Sequence, residues 1–212
     1  MMDSNDNGVS KNELTELIHN FHYQVRIIKL CLDELDALKE VGNDRLKKLK
    51  ANNFFYIAHT SIIFRYEVEL SKICNANKEG SINWICNRII DNIEYFRHSN
   101  EVEAKCKQLK KDVKKYKNTL GNIHNRRNKT LAHNDIDYYY FSQKAIDDFP
   151  FDYDEVKKLA TDLLDFSIYL YKEIGSDKKN LGYVTHPDDV KRIFGLKTDG
   201  DLIIEELAKK YS

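Results

Sequence analysis

An arginine, an amide and a histidine stand close together past the middle of the chain, in Arg127-Asn128-Lys129-Thr130-Leu131-Ala132-His133. These residue types suit chemistry at a phosphate. A guanidinium keeps its charge when water is removed, and it offers a planar fork of donors to phosphate oxygens. An imidazole, with an unperturbed pKa of about 6.5, gives and takes protons at neutral pH. Asn128 is placed to hold either the imidazole or the phosphate. Arg126 is a second candidate for the arginine's part. On an unbroken helix its spacing to His133 nearly completes two turns, whereas Arg127 would sit about 120° away. Arg127 is preferred, because Asn128 follows it and because it continues an apolar stripe. A plainer reading stays open, in which arginine and histidine close the helix end as ion-pair partners of Asp135 or Asp137.

The surrounding charge is uneven. Over the whole chain 34 basic and 34 acidic residues cancel, so net charge does not speak for a polyanionic partner. Between Glu101 and His133, however, ten Lys or Arg stand against three acids, a balance of +7. Residues 134–165 hold three Lys against nine acids, or −6. Such a strip is either a solvated helix face beside an acidic loop, or a track that draws phosphates toward Arg127. On the second reading Lys114, Lys117, Arg126 and Lys129 bind substrate.

Arg127 and His133, with five residues between them and a polar residue directly after the arginine, resemble the signature of the HEPN superfamily. The fuller string, Arg-Asn-Lys-x-x-Ala-His-x-Asp through Asp135, resembles that superfamily's abortive-infection branch. The resemblance covers about residues 10–175. It implies an all-α, HEPN-like bundle and a metal-independent endoribonuclease, acting as a toxin or phage-defence effector. RNA carries its own nucleophile, the 2′-hydroxyl, beside the scissile phosphate. On that reading Arg127 stabilises charge on the phosphoryl oxygens, His133 moves protons, and a cyclic phosphate and a 5′-hydroxyl are left. The resemblance also implies a homodimer in which two copies of the motif meet. No metal or other cofactor is called for, and a nucleotidyltransferase-like antitoxin is the kind of partner expected. The alternatives are a HEPN-like protein that binds RNA or a partner without cutting, and a plain helical scaffold.

The elements that must position these residues read as helices. Only 8 Gly and 2 Pro punctuate the chain, too few for a sheet protein's turns. Ser10 and Glu13 form a capping box for a first helix striped by Leu14, Leu17, Phe21, Val25, Ile28, Leu32 and Leu35, ending near Gly42. A second helix is expected from about Asp44 to Asn77. Its middle, Asn52 to Phe64, is apolar on several sides, so it should be the central, most buried helix. Ser81 caps a third helix. The fourth carries Val102, Cys106, Leu109, Val113, Tyr116, Leu120 and Ile123, a four-three rhythm that lands next on Arg127. A guanidinium is thus expected where core residues have been falling, a conflict of the kind that marks functional sites. The fifth helix runs from Asp152 to Gly175. Five main helices over residues 10–175 therefore follow a disordered segment 1–9 and precede a small helical appendage, 176–212. That appendage reads as one helix capped by Thr185 and another over about 201–210.

Other chemistry finds less support. Cys31, Cys74, Cys86 and Cys106 are scattered and read as reduced thiols. His19 and His22 have ligand-like spacing, but no neighbouring acid or cysteine completes a zinc set. His59 reads as a hydrogen-bonded core histidine that at best supports the site residues from behind, as do Arg65 and Glu67. There is no glycine-rich phosphate loop. Tyr138, Tyr139 and Tyr140 either stack bases or pack beneath the acidic loop. No leader segment is visible, and no run approaches the roughly 18 apolar residues of a membrane span, so a cytoplasmic location is expected.

Overall fold

Helices start where the capping signals stand. The structure, a computed structural model, describes residues 9–40, 51–75, 78–132, 142–175 and 209. The Ser10 hydroxyl accepts from the Glu13 amide at 3.3 Å, while the Glu13 carboxylate accepts from the Ser10 amide at 2.8 Å. This reciprocal box opens α1, Lys11–Glu40. Asn52 caps α2, Asn53–Cys74, and Ser81 caps α3, Ile82–Asp91. A single 3-10 turn, Ile93–Tyr95, leads to α4, Ser99–Lys115, and α5, Lys117–Arg127. A π-helical turn, Asn128–Ala132, extends α5. After it come a short α6, Ser142–Asp148, and α7, Tyr153–Ile174, which is capped by Asp152. Gly175 ends α7 at φ 66°, a left-handed position where any other L-residue is strained. No strand occurs among the described residues, and the fold is all-α.

The centre of the bundle is α1. Its stripe of Leu14, Ile18, Phe21, Val25, Ile28, Leu32 and Leu35 is buried, and the helix packs against both α2 and α7. In turn α2 packs on α5, and α3 on α4. His19 and His22 tie α1 to α7 through the hydroxyls of Tyr171 at 2.6 Å and Ser167 at 2.8 Å. The four cysteines are free, three of them buried. Among the described residues no helix is long and apolar enough to cross a membrane.

Three expectations need correction. The fourth helix is not continuous. Tyr116 adopts φ −91° and ψ 15°, its amide turns to the carbonyl of Val113 at 3.1 Å, and a new helix begins with Lys117. Nor is α2 the central helix. Only its second half, with Tyr66, Leu70 and Ile73, lies in the core, while Phe54, Tyr56 and Ile57 are 72%, 56% and 62% exposed. A helix packed along one side buries a stripe, so apolar residues beyond that stripe face outward. The acidic stretch before α7, expected as a loop, contains α6. Residues 1–8, the start of the expected second helix at 44–50, and the appendage apart from Lys209 lie outside the described residues.

Candidate functional site

Helix α5 ends in two arginines, and their surroundings differ sharply. Arg126 is turned inward, with its side chain 13% exposed, onto Glu67 of α2, which is 2% exposed. Their charged groups stand 3.4 Å apart. The Arg126 guanidinium also donates to the Ile146 carbonyl at 3.4 Å and lies 4.3 Å over the Phe151 ring, while its Nε is buried without a partner. Burial pushes the Glu67 carboxyl up to about 7, and the attraction of Arg126 offsets only part of that rise. The apolar stripe was expected to continue from Ile123 by four residues to Arg127. It continues by three, to Arg126. Helix α5 packs on α2, and Glu67 of α2 meets Arg126 rather than Arg127.

Arg127 is half-buried and is held by its neighbour, donating to Asn128 Oδ1 at 2.7 Å. The Asn128 amide nitrogen lies 2.9 Å from Nε2 of His124, one turn back on the same helix. On its other side, Nδ1 of His124 lies 2.9 Å from the hydroxyl of Ser71 on α2. A continuous chain thus runs from the body of the bundle to the Arg127 guanidinium. Burial, and then the positive charges of Arg127 and Lys78, hold His124 below the ordinary histidine pKa. The π-turn begins at Asn128, and the Thr130 hydroxyl donates to the Arg126 carbonyl at 2.7 Å, satisfying one of the open acceptors of the helix end.

Beyond the chain lies a groove of about 320 Å³ between the end of α2 and the helices α4 and α5. Lys114 and Lys117 line it and are exposed, with Lys110 beside them and His124 at its floor. Part of the positive strip is already paired along α4, through Lys107 with Glu103 and Lys115 with Asp112, each at 2.5 Å. Lys129 is half-buried in the π-turn. Arg126 opens on a different groove, about 590 Å³, shared with Tyr56, His59 and Ile146. His59, expected in the core, is half-buried on its wall. His133, together with Asp135, Asp137 and Tyr138, Tyr139 and Tyr140, lies outside the described residues. Of the residues expected at the site, the structure brings Arg127 and Asn128 into contact, sets Lys114 and Lys117 along the adjoining groove, and turns Arg126 away. Among the described residues no three His, Cys, Asp or Glu side chains converge on a common point.

His124 went unrecognised in the sequence, and Glu67 was read only as a residue behind the site. Glu67 stands one turn before Leu70 and one turn after Ile63, an acid on an otherwise apolar stripe, and it mirrors the arginine on α5. His124 stands four residues before Asn128, the spacing at which helical side chains meet. Either spacing was available as a signal.

The described residues form an all-α bundle whose α5 ends in the Arg127–Asn128 pair. The HEPN AbiU2 family model, described as AbiU2, matches residues 11–193, and the chain belongs to that family. No curated protein and no solved structure matches.

Proposed function

We propose that the chain is a metal-independent endoribonuclease that acts as a toxin or phage-defence effector. The 2′-hydroxyl of RNA attacks the adjacent phosphate, His133 carries protons, and Arg127 stabilises the charge that builds on the phosphoryl oxygens. A 2′,3′-cyclic phosphate and a 5′-hydroxyl result. The observation that carries this reading is the bond from Arg127 to Asn128 at 2.7 Å. It aims a guanidinium that no carboxylate among the described residues is seen to neutralise, whereas the neighbouring Arg126 is committed to Glu67. A preorganised cation of this kind serves a transition state better than a mobile one. Lys114, Lys117 and Lys129 guide the strand toward it by charge.

One copy supplies few groups for phosphoryl transfer, so we take the active form to be a homodimer. Phe54, Tyr56 and Ile57 of α2 are exposed, Tyr56 also lines the groove that contains Arg126, and together they are the apolar face a second copy would cover. A toxin of this kind also needs a neutralising partner, for which a nucleotidyltransferase-like antitoxin is the expected class.

The test is cleavage of RNA by the purified chain in EDTA. The wild type should cut and leave 5′-hydroxyl ends. His133→Ala and Arg127→Ala should each lower the rate on the order of a hundredfold or more while remaining folded. Undiminished cleavage by His133→Ala would end the proposal.

A further inference from the structure

We infer that His124 is a positioning residue, which fixes the amide of Asn128 and through it the guanidinium of Arg127. The inference rests on the reading of Arg127 as the group that meets the phosphate.

The direction of every bond in the chain follows from one end. A guanidinium only donates, so Asn128 must meet Arg127 with its oxygen. The Asn128 NH2 group then faces His124 Nε2 at 2.9 Å. Two donors cannot bond, so Nε2 is unprotonated and accepts. The proton of the neutral ring therefore sits on Nδ1, where the Ser71 hydroxyl accepts it at 2.9 Å. Ser71 is buried on α2, so the chain is anchored in a different helix from the one it serves. A single tautomer of His124 thus goes with a single amide orientation and a single place for the Arg127 fork. Without His124, the amide could rotate and Arg127 would lose its fixed acceptor.

The arrangement is also sensitive to protonation. A proton on Nε2 sets a donor against the Asn128 NH2 group. If the amide turned to offer its oxygen to the ring, it would present NH2 to Arg127, donor against donor. The groups that face the ring oppose that proton. Arg127 and Lys117 lie on its own helix, Lys110 and Lys114 line the same groove from α4, and Lys78 follows α2. Ser71 and Cys74, the α2 side chains facing the groove, bring no negative charge. Burial acts in the same direction.

The experiment is long-range proton–nitrogen NMR of the histidine rings in the full chain, with the His124 signals assigned by their loss in His124→Gln. The expected result is the Nδ1-protonated tautomer and a titration midpoint below the ordinary value of about 6.5. In Asn128→Ala and in Ser71→Ala the ring should shift toward a mixture of tautomers. A ring protonated on Nε2, or one with an ordinary midpoint, overturns the inference whatever the chain does to RNA. Kinetics supply a second readout. His124→Gln can accept from Asn128 with Oε1 and donate to Ser71 with Nε2, so its kcat should stay near that of the wild type. His124→Leu should lower kcat about tenfold, the scale of one lost hydrogen bond to the network, with KM little changed. Wild-type kcat in a folded His124→Leu chain would also overturn the inference. A wild type that leaves RNA intact while His124 shows the expected tautomer would instead refute the ribonuclease reading and leave the positioning of Arg127 standing.

Discussion

Replacing Glu67 by glutamine should change the way stability depends on pH. The Glu67 carboxyl is raised from an ordinary 4.5 to about 7, chiefly by burial. A group whose folded pKa is raised binds more protons in the folded chain than in the unfolded one, so its contribution is lost as pH rises through that interval. At about 1.4 kcal/mol for each tenfold change in proton affinity, the interval is worth about 3 kcal/mol. Wild-type measurements alone would hide this. His22 is held down to about 4 by burial, and then by Arg26 and His19, so its contribution is lost in the opposite sense, as pH falls below about 6.5. The two slopes oppose each other between about pH 4.5 and about pH 6.5. Glu67→Gln removes one of them. Arg126 stays charged throughout, and its attraction for the carboxylate is already contained in the Glu67 value of about 7, so the difference between the two chains reads the Glu67 interval. The assay is urea unfolding, followed by circular dichroism, at a series of pH values for both chains. The stability of the variant relative to wild type should rise by about 3 kcal/mol from about pH 4 to about pH 8. Parallel curves across that range would refute the buried-carboxyl account.

Arg126→Met should cost more at about pH 9, where Glu67 is ionised in the wild type, than at about pH 4.5, where Glu67 is neutral in both chains. An equal cost at both pH values in the same urea series would show that Arg126 acts by packing on Phe151 alone. Phe54→Ser combined with Ile57→Lys should convert the proposed dimer to a 25.0 kDa monomer without unfolding it. Light scattering reads the mass, and an unchanged dimer would move the interface elsewhere.

The helices themselves were legible because their stripes recur every three or four residues and their starts carry side-chain caps at Ser10, Ser81 and Asp152. The break at Tyr116 was not, because neither glycine nor proline stands there. Which arginine faces inward was not legible either, since both three and four residues after Ile123 continue a helical stripe, and only the long-range partner Glu67 separates Arg126 from Arg127. The exposed half of α2 was misjudged for a different reason. Cores and partner-binding faces are both apolar, and composition alone does not separate Ile57, which is exposed, from Ile73, which is fully buried. Arg127 and Asn128 were singled out by residue type and spacing. Their support, Ser71 and His124, joins helices 53 residues apart in sequence, a distance that no local pattern spans.

That support makes α2 the element on which the site depends. Glu67 and Ser71 stand four residues apart, one turn on the same face, and they meet Arg126 and His124 on α5. One contact is an ion pair that is costly to bury, and the other is a hydrogen bond that sets a tautomer. Together they fix both the rotation of α5 and the height of its end. The rotation determines that Arg126, rather than Arg127, is consumed by the interior. The height determines that Asn128 reaches His124. The same helix carries the exposed Phe54, Tyr56 and Ile57 at its other end. A second copy docked on that face would therefore press on the helix that holds the motif in place, and pairing would bear on the geometry of Arg127 even without touching it. On this account the double substitution at Phe54 and Ile57 should disturb the His124 tautomer as well as the mass. A dimer lost with the ring signal unchanged would show that the two ends of α2 act independently.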